Sequence, residues 1–254
     1  MSGTPVTVIA PLLADELSIA GLTRFSGSDW PDRLVATVFL QGCPWDCVYC
    51  HNPDLIDSHS AGTITWREVL AFLEQRRGQL DGVVFSGGEP TMQTALLPAI
   101  DDARRLGLRV GLHTGGAFPQ RLDAALPAVD WVGLDIKASA DDYATVTQRR
   151  GSGIHAWRSL RLVLDAARAR AGSDHPLAYE VRTTVDPRLT DADRLRLLGE
   201  QLLAEGVRWW ALQRARDMGS RSDAPPCPST ATTHDLVEMI AAEFAGAFPS
   251  VLTR

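Results

Sequence analysis

Residues 42–53 read Gly42-Cys43-Pro44-Trp45-Asp46-Cys47-Val48-Tyr49-Cys50-His51-Asn52-Pro53, directly after the β-branched, apolar run 34–41 (LVATVFLQ). Three of the chain's four cysteines fall within eight residues, spaced C-x3-C-x2-C. In a reducing compartment such clustering favours metal over disulfide chemistry, and three thiols in one loop leave one unpaired if they bridge only among themselves. Three thiolates on a tight loop suit three irons of a cubane cluster, whose common form uses four cysteines. The missing fourth ligand leaves one iron open, as a catalytic metal keeps an open position. Two other readings of the same residues stand beside this one. One is a zinc site completed by His51 or Cys227, although a second two-cysteine knuckle is absent. The other is an electron-transfer cluster with Cys227 as its fourth ligand. Cys227, in a Pro-rich segment, also reads as an ordinary loop cysteine.

Outward from this loop, strands and helices alternate. Strands are predicted over 34–41, 82–86, 108–113, 130–137, 177–185 and 207–213. Helices are predicted over 65–77 (Thr65 and Glu68 forming a capping box), 91–106 (kinked at Pro98 and ended by Gly107), 156–171, 190–205 (capped by Thr190) and 233–248. A Pro/Ser-rich loop covers 218–230. Buried strands alternating with helices indicate βα units on a mostly parallel sheet; about six units fit, and too few strands can be counted for a closed eight-stranded barrel. With no repeat and no linker, the expectation is one domain over 1–254, its core at about 19–216 followed by a loop and helix over 217–254. The segment 147–153 (TQRRGSG) reads as a flexible basic loop without further chemistry.

In parallel α/β folds the sites form at the carboxyl ends of strands, and the polar clusters of this chain fall there. Ser86-Gly87-Gly88-Glu89-Pro90 follows the second predicted strand, and His113-Thr114-Gly115-Gly116 the third. Asp135 and Lys137, two apart and on one face, end the fourth. Glu180, Arg182 and Thr184 share a face of the fifth, and Gln213 ends the sixth. Lys137 is the only lysine among 25 basic residues. Amid this arginine bias, a retained lysine marks a place where a compact ammonium is needed.

The 254 residues are 45% hydrophobic and carry a net charge of −6. That is ample material for a core and argues against a large nucleic-acid footprint. The first 17 residues carry no cationic leader and Asp15 and Glu16 close their apolar stretch, so they do not read as a signal peptide. No apolar run reaches membrane-spanning length. The expectation is a cytoplasmic protein with neither membrane nor nucleic acid as partner.

The cysteine loop, with Tyr49 before its last cysteine, resembles the radical S-adenosylmethionine (SAM) superfamily. The extension His51-Asn52-Pro53 narrows the resemblance to activating enzymes of glycyl-radical proteins. These include pyruvate formate-lyase activases and anaerobic ribonucleoside-triphosphate reductase activating proteins. The resemblance covers about 19–216 and implies a partial (β/α)6 TIM-like barrel with one [4Fe–4S] cluster on Cys43, Cys47 and Cys50. The ferredoxin-like cysteine insertion of larger activases is absent, hence one cluster only. It implies that Tyr49, Asn52, Gly87, Gly88, Glu89, Thr114, Asp135, Lys137 and Arg182 bind SAM. In that reading the two glycines admit close approach and Glu89 accepts from the SAM ammonium. The implied reaction is that of an oxidoreductase. The cluster reduces the sulfonium, methionine leaves, and a 5′-deoxyadenosyl radical takes an α-hydrogen from a glycine of a partner enzyme. A flavodoxin or ferredoxin-type protein is the implied electron donor, and an apolar shell should limit solvent access to the cluster.

The chain departs from the Asp-Thr-Asn-Gly stretch of some activases, carrying His113-Thr114-Gly115-Gly116 instead. The Asp that would help hold a monovalent cation is thus missing. With Asp29-Trp30-Pro31 and 134–138 (LDIKA), this moves the resemblance toward the ribonucleotide reductase activases. The partner's glycine loop is expected to enter the open side of the barrel, against the loops after His113 and Thr145. Alternatives are a pyruvate formate-lyase type of partner, a small-molecule substrate, or a non-catalytic zinc or iron–sulfur protein.

Overall fold

A computed structural model of the protein describes residues 13–215 and 230–254. In chain order its elements are β1 (Ile19–Ser26), β2 (Val35–Leu40), α1 (Trp66–Gln75), β3 (Gly82–Gly87), α2 (Leu96–Arg105), β4 (Arg109–Thr114), α3 (Pro119–Ala125) and β5 (Trp131–Asp135). They continue as α4 (Tyr143–Thr147), α5 (Ser152–Ala169), β6 (Ala178–Val185), α6 (Ala192–Glu205), β7 (Trp209–Arg214), α7 (Thr230–Phe244) and β8 (Ser250–Thr253). One sheet holds the strands in sequential order; β1 runs antiparallel to β2 and every later neighbour is parallel. β1 and β8 are its two edges, so the sheet is open. The six predicted strands are β2 to β7, each followed by a helix, and they make the expected partial (β/α)6 barrel.

The two edge strands go beyond the expected six. β1 (IAGLTRFS) breaks its apolar pattern with Gly21, Thr23 and Arg24, and β8 is only four residues long; neither carries a clear period of two. The predicted helix over 91–106 is split. A 3₁₀ turn takes Pro90–Met92 and α2 starts at Leu96. Pro98 thus falls in the first turn, where a missing N–H breaks no bond, and causes no kink. The cap of α6 is Asp191, whose Oδ1 accepts from the Arg194 N–H at 3.0 Å, not Thr190. The capping box of α1 forms as expected: Thr65 accepts from the Glu68 N–H and Glu68 from the Thr65 N–H at 2.8 Å, worth ~1 kcal/mol. The final helix starts at Thr230 and ends at Phe244, earlier than 233–248. Most of the predicted 218–230 loop, Cys227 included, lies outside the described residues. Among the described residues no helix is long and apolar enough to cross a membrane.

Successive strand residues face opposite sides of the sheet. Ala36, Val38 and Leu40 of β2 join the main core beneath the helices. Val35 joins Val84, Trp131 and Trp30 in a separate cluster inside the barrel. There the Asp29-Trp30-Pro31 loop closes the barrel's base: Trp30 stacks on Trp131 at 5.6 Å between ring centroids. Gly111 leaves the space, since a Cβ there would lie 2.9 Å from the Trp30 ring.

Candidate active site

The cysteine loop leaves β2 and is held on both flanks by backbone hydrogen bonds. On one side Gly42 N–H donates to Leu55 C=O at 2.8 Å and Cys43 N–H to Ile56 C=O at 3.0 Å. On the other, Asp46 N–H donates to Thr147 C=O at 3.0 Å and Val48 N–H to Val146 C=O at 3.1 Å. Arg149 Nε donates to Pro44 C=O at 3.1 Å. The stretch 147–153 is therefore not an idle loop: it ends α4, starts α5 and braces the cysteine loop. Within the loop a turn closes from Cys50 N–H to Cys47 C=O at 3.0 Å. Cys47 is buried, while Cys43 and Cys50 are partly exposed. Burial pushes the Cys43 thiol up to about 12 and the Cys47 thiol to about 11, partly opposed by the nearby Lys137 ammonium. Free Cys43 and Cys47 are thus protonated at neutral pH, and metal binding must displace those protons.

The Gly-Gly-Glu turn sits against the start of this loop. Gly87 has φ +119°, and a Cβ there would lie 2.3 Å from Leu40 N; one on Gly88 would lie 2.2 Å from Gly42 C=O. The close approach these glycines permit is to the protein's own backbone at Leu40, the end of β2, and Gly42. Gly88 N–H donates to Leu40 C=O at 2.9 Å and Glu89 N–H to Gly42 C=O at 2.8 Å. The Glu89 side chain lies among donors of its own and the neighbouring turn. Its carboxylate is 1% exposed. It accepts from Thr91 N–H (3.1 Å), Thr91 Oγ1 (2.5 Å), Thr114 Oγ1 (2.6 Å) and Gly115 N–H (2.9 Å). A carboxylate so enclosed ties the turn after β3 to the turn after β4. Three of the four donors meet Oε1 and one meets Oε2.

Asp135 and Arg182 are lateral neighbours in the β5–β6 register. Arg182 Nε donates to Asp135 Oδ1 at 2.9 Å, and Lys137 Nζ lies 3.3 Å from Oδ2. Gly133 leaves room for the guanidinium, because a Cβ there would stand 3.0 Å from Arg182 Cζ. Burial alone would raise the Asp135 carboxyl; the Arg182 and Lys137 charges outweigh it and hold it at about 2. Asp135 in turn keeps the Lys137 ammonium charged against its burial. The ammonium stands 5.6 Å above the Tyr49 ring. Tyr49 is 4% exposed, and its hydroxyl is a buried polar atom without a hydrogen-bond partner. Asn52 is exposed, opening the 3₁₀ turn Pro53–Leu55.

Both ring nitrogens of His113 are hydrogen-bonded. Its Nε2–H donates to Asp29 C=O at 2.6 Å, which leaves Nδ1 to accept from Ser86 Oγ at 3.3 Å. Burial and the Arg182 charge hold its imidazole down at about 3, hence neutral. Above it a cavity of about 400 Å³ is lined by Asp29, His51, Arg182, Thr184, Gln213 and Arg254, among others. Glu180 does not face it as a free acid, because Arg254 clasps both its oxygens at 2.7 Å.

Three thiols on one loop are a donor set that a cubane cluster takes. Among the described residues no group of three Cys, His, Asp or Glu side chains is gathered around one point. Thiolates that bind separate irons need not converge on one point. The orphaned Tyr49 hydroxyl and the charged Lys137 beside the loop point the same way, to a polar occupant next to the thiols. Sequence reasoning brought together the cysteines, Asp135, Lys137 and Arg182. It missed Trp45, Tyr143 and Arg149, for which only unusual bulk or charge beside the motif was visible.

The family model for the radical SAM superfamily matches residues 37–199. A candidate glycyl-radical enzyme activating enzyme of Methanocaldococcus jannaschii is 28% identical over 178 residues, 69% of this chain and 71% of that one. A pyruvate formate-lyase-activating enzyme of Clostridium pasteurianum is 34% identical over 122 residues. The pyruvate formate-lyase 1-activating enzyme of Escherichia coli K12 is 32% identical over 115. These two alignments span 51% and 46% of those proteins, about half their length. Among solved structures, Streptococcus suis SuiB bound to S-adenosylmethionine aligns with a TM-score of 0.61 at 10% identity, over 84% of this chain and 48% of SuiB. That degree of identity carries the fold alone. The family match takes in the cysteine loop, the Gly-Gly-Glu-Pro turn and the Asp135–Lys137 strand end over more than half of the chain, and the protein is therefore an enzyme of the radical SAM superfamily, whose cofactors are a [4Fe–4S] cluster and S-adenosylmethionine.

Proposed function

We propose that the protein activates a glycyl-radical enzyme by taking an α-hydrogen from a backbone glycine of that partner. The observation that carries the reading is the set of relatives named for this activity. When bound, the cluster and SAM supply one-electron cleavage of the sulfonium to give methionine and a carbon radical.

The chain's own residues have distinct tasks in this proposal. Cys43, Cys47 and Cys50 hold the cluster. Tyr49, Asn52, Gly87, Gly88, Glu89, Thr114, Asp135, Lys137 and Arg182 surround SAM, and Glu89 also braces the turns that carry them. Lys137 offers an ammonium to the SAM carboxylate, while Asp135 keeps that ammonium charged and in place. The cavity beside Arg182 receives the partner's glycine loop, and Trp45, Tyr49 and Tyr143, all buried, keep water from the cysteine loop.

The proposed partner is an anaerobic ribonucleoside-triphosphate reductase, supported by the Asp29-Trp30-Pro31 and 134–138 resemblance. A pyruvate formate-lyase type of partner is the second reading, favoured by the names of the relatives. A flavodoxin or ferredoxin-type donor in the cytoplasm completes the proposal. The test incubates anaerobically reconstituted protein with SAM, dithionite and each candidate partner. A glycyl-radical EPR signal on the reductase, with one deoxyadenosine per radical, is the expected result. A signal only on pyruvate formate-lyase selects the second reading, and turnover of a free metabolite without any partner radical defeats both.

A further inference from the structure

Trp45 stands between the first two cysteines, and its indole is buried, 6% exposed. On one side it rests on the turn after β4. A Cβ built on Gly115 would lie 2.4 Å from Trp45 Cζ3 and within 3.2 Å of Cε3 and Cη2. The φ of Gly115 lies outside the left-handed range, so other residues could adopt it; the glycine is there for space. The same residue's N–H donates to Glu89 at 2.9 Å. The indole also packs edge-on against Tyr143, 5.7 Å between centroids at 67°. The Tyr143 hydroxyl donates to Asp135 C=O at 3.1 Å and accepts from Lys137 N–H at 3.2 Å. One side chain of the cysteine loop is thus wedged between the turn tied to Glu89 and the residue that closes the Asp135–Lys137 strand end.

We infer that Trp45 is a positioning residue, whose seat on the bare backbone of Gly115 sets the distance between the three thiols and the residues that surround SAM. The inference rests on the site reading given under Proposed function. Its physical basis is the stringency of the geometry: reacting atoms must be held within a few ångströms, and a misplacement of about 1 Å costs on the order of a hundredfold in rate. Backbone hydrogen bonds fix the flanks of the loop. The indole fixes its depth, because a planar ring between two packed walls can shift only if a wall shifts.

The test is a pair of substitutions and their combination, Gly115→Ala, Trp45→Phe and G115A/W45F, in the full chain reconstituted anaerobically. Iron and sulfide content and the thermal midpoint of the apo-protein report loading and folding. The readouts of positioning are the SAM-induced change in the EPR spectrum of the reduced cluster and the kcat and KM of SAM cleavage under dithionite. Gly115→Ala is expected to alter the EPR change and to lower kcat about tenfold or more, with KM for SAM moving less. The shorter Phe ring relieves the clash, so G115A/W45F is expected to recover most of the loss. If G115A does not fold, Trp45→Ala removes the indole without adding a clash and is expected to show the same loss. Effects of G115A and W45F that merely add, or a folded G115A with the wild-type EPR response, overturn the inference. A wild-type protein that loads its cluster and ignores SAM would instead overturn the site reading itself, and the inference with it.

Discussion

Arg149 and Pro44, 105 residues apart in the chain, are joined by a hydrogen bond of 3.1 Å from the guanidinium Nε to the carbonyl. The bond places an arginine from the end of α4 over the first turn of the cysteine loop. It acts with the two backbone bonds from Asp46 and Val48 to 146–147.

Arg149 is exposed, so its bond contributes only ~1 kcal/mol to the fold. Its effect should be local. Arg149→Ala is expected to release iron to a chelator several-fold faster than wild type, with the apo-protein thermal midpoint changed by no more than a few degrees. Equal iron-release rates would show that the two backbone bonds suffice.

Glu89 with its four donors makes a network that tolerates loss poorly. Glu89→Gln replaces one acceptor oxygen by an NH₂ group facing donors, and is expected to cost about 2–3 kcal/mol in urea unfolding of the apo-protein. Thr114→Val removes one donor to Glu89 and the acceptor of the Gly116 N–H, and is expected to cost about 1–3 kcal/mol. The double variant should lose less than the sum, since both act through one carboxylate. Strict additivity would contradict the network.

Lys137 places a positive charge beside the thiols, and its charge already lowers the proton affinity of Cys43 and Cys47. Adding an electron to a thiolate-bound cluster increases its negative charge, which an ammonium nearby stabilises. Lys137→Met is expected to lower the cluster's reduction potential, measured without SAM; a tenfold change in the one-electron equilibrium corresponds to about 59 mV. Lys137→Arg keeps the charge and is expected to stay closer to wild type, while its planar fork fits poorly between Tyr49 and Asp135. An unchanged potential in the Met variant would remove the charge argument.

His113 and Asp135 make the fold sensitive to acid. His113 is held at about 3 in the folded protein against an ordinary value of 6.5, and Asp135 at about 2 against 3.8. In both cases the unfolded chain binds the proton more readily. Their contribution is therefore complete above pH 6.5 and 3.8 respectively, and is lost as pH falls toward 3 and 2. The apo-protein is expected to lose stability between pH 6.5 and 4, and His113→Gln to flatten that slope. A wild-type profile that is flat over this range would show that the imidazole is not buried neutral.

Local chemistry was legible in the amino-acid order. The three thiols, the six alternating βα units and Asp135 at a strand end follow from spacing, periodicity and the geometry of a strand, which act over a few residues; Lys137 lies two residues past the end of β5. The capping box at Thr65 and Glu68 is of the same kind. What Gly87, Gly88 and Glu89 do was decided by the tertiary structure. Their meaning depends on Leu40, Gly42, Thr114 and Gly115, which come near only when β2, β3 and β4 lie side by side. The bracing of the cysteine loop by 146–149, the seat of Trp45 on Gly115 and the neutral His113 over Asp29 belong to the same class. Each is a contact between residues far apart in the chain, and a one-dimensional pattern holds no record of which distant backbone a side chain will meet.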